Sequence, residues 1–200
     1  MGRPRDRRRD DAIIAATLRA LADSGFTGLS MESVASRAGV GKATVYRRWS
    51  TKEALVTDAI ATLAAVERTV STTGDGDGVD GVDPEPVREC LLATLAALRE
   101  HNERTLAGRI MPRLLAERES HPDLFESYRN RVIAPARDRI ADVLRQGIAS
   151  GELRADLDVE LATDVLIGPI AYPDHRSPTD GVGCIDGVVD TVLRGIGQAP

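Results

Sequence analysis

Residues 29–56, LSMESVASRAGVGKATVYRRWSTKEALV, predict two short helices joined by a tight turn. Ser30 has the chemistry of a helix N-cap and should start a helix over Met31–Ala38. The sequence Gly39-Val40-Gly41 favours a turn, because glycine adopts backbone conformations that larger side chains resist. The second helix is then expected over about Lys42–Arg48.

Two short helices joined by a glycine-containing turn form a helix-turn-helix, in which the second helix enters the major groove of DNA and the first crosses over it. A preceding helix over about Asp10–Ser24, ended by Gly25, would complete a three-helix domain. The small residues spaced to lock the two short helices together are Val34, Ala35, Val40 and Val45. The sequence therefore predicts a DNA-binding domain at the N-terminus.

The exposed side of the second short helix should face base edges and phosphates. Tyr46 can reach a phosphate through its hydroxyl, whereas Trp49 is expected to fill the core beneath. Lys52 and the free amides of a helix that starts at Ser50 or Thr51 would form an anion site. The residues predicted to contact DNA are Ser30, Lys42, Ala43, Thr44, Tyr46, Arg47 and Lys52.

The formal net charge of −5 is unevenly distributed along the 200 residues. Residues 1–52 carry eleven basic and five acidic side chains, a net charge of +6, which leaves −11 for the rest of the chain. A basic head on an acidic body is the distribution expected when one end binds a polyanion. The alternative for the arginines among residues 3–9 is a basic segment that is merely solvated.

Apolar residues recur at helical spacing in the rest of the chain, and no segment alternates like a half-buried strand, so the predicted fold is all-α with about nine helices. Pro112 is expected to break one of these helices and Pro135 to kink another. Further helices are expected over about residues 86–101, 103–119, 122–149, 158–172 and 184–194. The predicted organisation is a helix-turn-helix domain over residues 1–52, a connecting helix over 53–71, a flexible linker over 72–84 and a C-terminal helical domain over 85–200.

The sequence offers no nucleophile, base and orienting group in a recognisable spacing, so we expect a protein that is not an enzyme and has no cofactor. Residues 76–81 match GxGxxG, but no strand precedes them and their aspartates would repel a pyrophosphate. Cys90 and Cys184 stand far apart and the three histidines share no ligand spacing, which favours free thiols and no metal site. With no apolar run near 20 residues and no convincing signal peptide, the expected location is the cytoplasm, without a membrane partner.

Residues 29–56 resemble the DNA-binding domain of TetR-type bacterial repressors, which read like T-x-x-x-IA-x-x-AGVS-x-x-T-(L/V)-Y-x-x-F-x-SKE-x-L. The resemblance extends over about residues 10–60, and the second half of the chain looks like the C-terminal domain of an actinobacterial branch of that family. It implies a ligand-responsive transcriptional regulator, a repressor that binds a pseudo-palindromic operator as a homodimer. The alternative is a DNA-binding regulator or architectural protein without a small-molecule effector.

The resemblance also implies a small-molecule pocket and a dimer seam in the C-terminal domain. The last helix has an apolar face that must be buried on its own domain or on a partner, and the resemblance favours the partner. The candidate pocket residues are Met111, Leu115, Phe125, Tyr128 and Tyr172. The candidate seam residues are Leu161, Val165, Ile185, Val188, Val189 and Val192.

Three positions depart from the family pattern. Gly41 stands where the family often has a hydroxyl residue that caps the recognition helix and contacts a phosphate. Trp49 replaces the usual phenylalanine, which a core position tolerates. Pro173 should shorten the helix that ends near Tyr172, which would alter the edge of the pocket and of the dimer seam.

Overall fold

The computed structural model describes residues 4–72, 86–171 and 181–196, which are mostly helical and form no β-strand. The predicted all-α fold is therefore confirmed for this part of the chain. The N-terminal helices are α1 (Pro4–Gly28), α2 (Met31–Arg37), α3 (Lys42–Arg48) and α4 (Lys52–Thr72). The later helices are α5 (Val87–Arg104), α6 (Leu106–Ala116), α7 (Pro122–Tyr128), α8 (Ala134–Ser150), α9 (Val159–Ala171) and α10 (Gly181–Ile196).

The helix expected over residues 122–149 is present as one continuous run that changes its hydrogen-bond spacing in the middle. A π-helical turn over Arg129–Ile133 joins α7 to α8, just before Pro135. Proline has no N–H to donate, and a π-helical turn is one way for a helix to accommodate the missing bond. Counting this run as one helix gives nine helices in the described residues, in agreement with the prediction.

Two predicted helix boundaries are wrong. Pro112 lies inside α6 rather than at a break. The boundary expected between residues 101 and 103 lies at Thr105, whose hydroxyl caps α6 by accepting from the Gly108 amide at 3.4 Å. The first helix starts at Pro4 instead of Asp10. Gly25, with φ 70° and ψ −176°, nevertheless interrupts the helical backbone at the predicted place.

The helices pack into two compact units. The first unit holds α1 to α4, α6, α7 and the π-helical turn, and the second unit holds α8, α9, α10 and α5 as far as His101. This grouping differs from the predicted domains because Ile110 and Leu114 of α6 are buried in the first unit's core. The predicted linker over residues 72–84 lies outside the described residues apart from Thr72.

Ion pairs join neighbouring helices of the second unit around its apolar core. Arg88 of α5 donates to Asp190 of α10 at 2.8 Å, and this hydrogen bond lowers the pKa of the Asp190 carboxyl below its ordinary 3.8. Arg137 of α8 pairs with Asp164 of α9 in the same manner. The buried core of this unit includes Leu91, Leu95, Ile140, Leu144, Leu166 and Val189.

Candidate nucleic-acid interface

The predicted helix-turn-helix is formed by α2, the turn after it and α3. Ser30 caps α2, since its hydroxyl accepts from the Ser33 amide at 3.1 Å while the Ser33 hydroxyl accepts from the Ser30 amide at 3.3 Å. Gly39 has φ 65°, a left-handed conformation that favours glycine, and the Val40 amide donates back to the Ala35 carbonyl at 3.0 Å. The turn therefore closes onto the end of α2 and directs the chain into α3.

The inner side of the motif packs on the first unit's core. Val34, Ala35 and Val45 are buried, and Val40 packs half-buried beside them. Trp49 is also half-buried against this core, and its indole Nε1 donates to Asp58 of α4 at 3.0 Å. The predicted small core is therefore present, and its burial fixes which side of α3 faces outward.

The outward side of α3 carries most of the residues that the sequence predicts to contact DNA. Lys42, Ala43, Tyr46 and Arg47 are exposed there, with 47% of the Tyr46 surface accessible. Thr44 is half-buried at the edge of this face. We call Lys42, Ala43, Tyr46 and Arg47 the recognition face.

An acidic residue of α2 contacts the recognition face. The Tyr46 hydroxyl donates to Glu32 Oε1 at 3.2 Å, and Lys42 Nζ lies 3.7 Å from the same oxygen. A hydrogen bond from its own backbone amide and the charge of Lys42 lower the pKa of the Glu32 carboxyl below its ordinary 4.5. Partial burial and the nearby carboxylate raise the pKa of the Tyr46 hydroxyl above its ordinary 10.0.

Besides Tyr46 and Lys42, two more of the predicted DNA contacts are engaged within the protein. Lys52 Nζ donates to the carbonyls of Phe26 at 2.9 Å and Leu29 at 3.1 Å, and it lies 4.1 Å from the centre of the Phe26 ring. The ammonium therefore holds α4 to the last turn of α1 and to the residue just after it. The Ser30 hydroxyl is exposed but already accepts the capping hydrogen bond of α2.

The start of α1 lies beside the end of α3. Asp10 accepts a hydrogen bond from Arg48 Nε at 3.1 Å. Arg7, Arg8 and Arg9 are exposed in the turn just before Asp10, and they belong to α1, although the helix was predicted to begin only at Asp10. The spacing of apolar residues cannot predict the contact between Asp10 and Arg48, because both residues are polar.

The candidate pocket residues mostly belong to the first unit's core. Tyr128 is buried, and its hydroxyl donates to the Ala107 carbonyl at 2.5 Å, while Met111 and Phe125 pack half-buried against the same core. Leu115 is half-buried, and Tyr172 lies outside the described residues. An open groove of about 540 Å³ lies between α1 and α6, but none of the four predicted pocket residues that the structure describes lines it.

The candidate seam residues divide into two groups by their burial. Ile185 and Val189 are buried in the second unit's own core, and Val188 and Val192 pack half-buried against it. The apolar face of α10 therefore has partners within its own unit. Leu161 and Val165 of α9 are 60% and 50% exposed, so these two remain open to a partner.

No group of acidic, histidine or cysteine side chains in the described residues could hold a metal ion. Among the same residues, no helix has both the length and the apolar character that a membrane crossing requires.

A buried helix-turn-helix core under an exposed basic face defines a DNA-binding protein of the helix-turn-helix class. Residues 13–59 match the bacterial regulatory proteins of the tetR family, and residues 82–182 match the tetracyclin repressor-like C-terminal domain. The chain belongs to the TetR family of DNA-binding transcriptional regulators.

Individual relatives agree with this assignment. The chain is 33% identical over 171 residues to YdeS, an uncharacterised HTH-type transcriptional regulator of Bacillus subtilis. The match covers 86% of this chain and 80% of that protein. The chain is also 30% identical over 158 residues to the DNA-binding transcriptional repressor TetR of Mycobacteroides abscessus, and this match covers 78% of this chain and 77% of that protein. The fold resembles that of the regulator FadR of Bacillus subtilis in complex with stearoyl-CoA, with a TM-score of 0.65, 22% identity, and 93% and 98% of the two chains covered.

Proposed function

We propose that this regulator is a repressor that binds a pseudo-palindromic operator as a homodimer and leaves DNA when a small molecule binds its C-terminal half. The observation that carries the proposal is the recognition face, which is exposed and basic above the buried Val45. Half-sites one helical turn apart would receive the two α3 helices of a dimer. A small change in the separation of those helices would then weaken both contacts.

We assign the DNA contacts by exposure and charge. Lys42, Arg47 and Thr44 are the candidates for base edges, and the Tyr46 hydroxyl is the candidate for a phosphate. Arg7 to Arg9 extend the positive surface next to the Asp10–Arg48 pair, and we expect them to contact flanking phosphates. Lys52 is better assigned to holding the domain together, because two carbonyls occupy its ammonium.

Two features support the other parts of the proposal. Leu161 and Val165 leave an exposed apolar pair on α9 for a second copy of the chain. The small-molecule response is supported by the match of residues 82–182 to a repressor-like C-terminal domain, and FadR, which has a related fold, binds stearoyl-CoA. Long-chain acyl-CoA is therefore the first effector to test, by the release of bound operator.

The test of DNA binding starts from fragments selected out of genomic DNA by the full-length protein and then sequenced. Binding to the selected duplex, followed by fluorescence anisotropy, should weaken steeply between 50 and 200 mM salt, on the order of tenfold or more, because phosphate contacts release counterions. Tyr46→Phe should weaken selected and scrambled duplexes about equally, whereas Lys42→Ala and Thr44→Val should also change sequence preference. Affinity that barely responds to salt would refute the proposed DNA contacts.

A further inference from the structure

The Glu32 carboxylate occupies the groups that we assign to DNA. One oxygen, Oε1, accepts from the Tyr46 hydroxyl at 3.2 Å and lies 3.7 Å from Lys42 Nζ. Glu32 belongs to α2, while Tyr46 and Lys42 belong to α3. The contact therefore crosses the helix-turn-helix on its DNA-facing side.

The donors around this carboxylate are those that a phosphate would use. A phenol hydroxyl and an ammonium group contact the anionic side chain, which belongs to the first turn of α2, where backbone amides are free. Protein contacts to the DNA backbone use the same kinds of group. In the DNA-free protein, Glu32 therefore serves as an internal anion at a site suited to a phosphate oxygen.

We propose that Glu32 is an intramolecular competitor of DNA phosphate, which reduces the affinity of the regulator for duplex DNA of any sequence. The inference rests on the proposed DNA contacts of Tyr46 and Lys42. A phosphate must displace the carboxylate from these two groups, or approach it against charge repulsion. A regulator with a lower affinity for DNA of any sequence spends less time on the many non-specific sites of a genome.

The size of the effect follows from the exposure of the pair. The Glu32 and Lys42 side chains are 45% and 66% exposed, so water screens their interaction. Removal of this screened contact by substitution of Glu32 should therefore change the dissociation constant for DNA by about two- to fivefold.

The test compares full-length wild type with Glu32→Gln on the selected operator and on a scrambled duplex of equal length. We expect Glu32→Gln to bind both duplexes about two- to fivefold more tightly. Glu53→Gln, at the exposed start of α4, removes the same charge without touching the recognition face and measures the general charge effect. Unchanged affinity, or a gain no larger than that of Glu53→Gln, would overturn the competitor role.

The same experiment separates competition from base reading. A glutamate in the major groove could accept a hydrogen bond from a cytosine amine. Glu32→Gln would then weaken binding to the operator while leaving the scrambled duplex unaffected, and the competitor role would be overturned.

A double-mutant cycle tests whether the gain passes through the two contacts. In Tyr46→Phe and Lys42→Ala backgrounds, Glu32→Gln should lose most of its effect, because the carboxylate then has fewer DNA-binding groups to occupy. An undiminished gain in both backgrounds would overturn the proposal. If Glu32→Gln failed to fold, Glu32→Asp would replace it in the cycle, since it keeps the charge at the start of α2 and shortens the reach to α3.

A measurement without DNA tests the contact itself. Lys42 and Lys52 are the only lysines, so lysine labelled with 13C at Cε gives two signals, one for each residue. Glu32→Gln should shift the Cε resonance of Lys42 and leave that of Lys52 unchanged; an unmoved Lys42 signal would contradict the contact.

A wild-type protein that binds no DNA would refute the proposed function, whereas salt-dependent binding that Glu32→Gln does not strengthen would refute this inference alone.

Discussion

At the scale of single residues, the turn of the helix-turn-helix offers two glycines with opposite requirements. A side chain at Gly39 or Gly41 would meet no neighbouring atom within 4 Å, so crowding does not distinguish them. Their backbones do, because Gly39 has φ 65° whereas Gly41 has φ −70° and ψ 144°, an ordinary N-cap conformation. The structure thus fixes which of the two must be glycine.

We expect Gly39→Ser to destabilise the protein by about 1–2 kcal/mol, because a side chain is strained in the left-handed region. Gly41→Ser should instead stabilise it by a few tenths of a kcal/mol, because a hydroxyl can cap α3. The added hydroxyl at position 41 should also tighten operator binding if α3 meets phosphate there. Urea unfolding of the two variants checks the pair, and equal losses of stability would contradict the assignment.

The sequence predicted the orientation of α3 better than the partners of its charged residues. Helical spacing places Val45 on the side opposite Tyr46 and Arg47, and the structure has this arrangement. Lys52 escaped prediction because its partners are the Phe26 and Leu29 carbonyls, and carbonyls occur at every position of a sequence. The Glu32 contact was missed for a related reason, since it depends on the angle between α2 and α3.

At the scale of helices, α6 supports the interruption in α1. The Glu117 carboxylate at the end of α6 accepts from the amides of Phe26 at 2.8 Å and Thr27 at 3.1 Å, just after Gly25 leaves the helical conformation. These amides lose helical partners at the interruption, and a carboxylate is a strong acceptor for them. Glu117 thereby links α6 to the segment that leads into the helix-turn-helix.

Glu117→Gln should destabilise the first unit by about 1–2 kcal/mol, because the amide group cannot replace both charge-assisted hydrogen bonds. The loss should appear as a lower urea midpoint with an unchanged slope. Glu119→Gln, two residues later on the exposed surface, is the matched control and should have little effect. Equal midpoints for the two variants would show that the Glu117 bonds add nothing to stability.

Asp23 joins three helices of the first unit through its carboxylate. It accepts from Arg37 of α2 at 2.9 Å and from Arg109 of α6 at 2.9 Å. The hydrogen bond from Arg37 and the charges of both arginines lower the pKa of the Asp23 carboxyl below its ordinary 3.8. A carboxyl with a lowered folded-state pKa stabilises the fold above its ordinary pKa and loses that contribution as pH falls through the lowered value.

The stability difference between wild type and Asp23→Asn should therefore be constant from pH 7 to about pH 5 and shrink below pH 3.8. Wild type should be the more stable protein in the upper range. Urea midpoints at several pH values measure the difference, and Asp11→Asn on the exposed side of α1 is the control that should show no such trend. A difference that grows on acidification would contradict the assigned role of Asp23.

Helix boundaries show where periodicity stops being informative. The prediction for α3 was accurate because glycine, an apolar repeat and a basic end mark it within a short distance. Pro112 was misleading because its local chemistry argues for a break, whereas the apolar residues of α6 on both sides of it are buried together. The cost of the missing hydrogen bond is offset by packing that only the folded chain reveals.

At the scale of the whole molecule, the charge asymmetry and the fold agree. The described basic side chains of residues 7–48 lie on α1 and the helix-turn-helix and Lys52 starts α4, whereas the sequence that follows is mostly acidic. Negative charge on that part of the chain opposes non-specific adhesion to DNA, which agrees with the proposal that the helix-turn-helix contacts the phosphates. Glu32 likewise places a negative charge beside the basic residues of the recognition face.

In the proposed homodimer, exposed apolar residues of the second unit would form the seam between the two copies. Ile185 and Val189 are buried in that unit's own core, so a charge there would unfold it before any dimer were tested. Leu161 and Val165 are exposed one turn apart on α9, where a charge is tolerated in a monomer. Substitutions at Leu161 and Val165 can therefore test association without unfolding the unit.

We expect Leu161→Glu and Val165→Glu to give folded monomers that bind the full operator poorly. In an isologous interface each substitution is introduced twice, and unpaired desolvated carboxylates should cost about 3 kcal/mol or more, over a hundredfold in the dimer Kd. Sedimentation velocity measures the association and circular dichroism the helical content, with Ala155→Glu on the exposed turn before α9 as the control that stays dimeric. If wild type sediments as a monomer at micromolar concentration, the homodimer is refuted; if it is dimeric and both variants remain dimers, the seam lies away from this face of α9. Monomeric variants that still bind a single half-site would show that the recognition face works alone and that the dimer supplies the spacing.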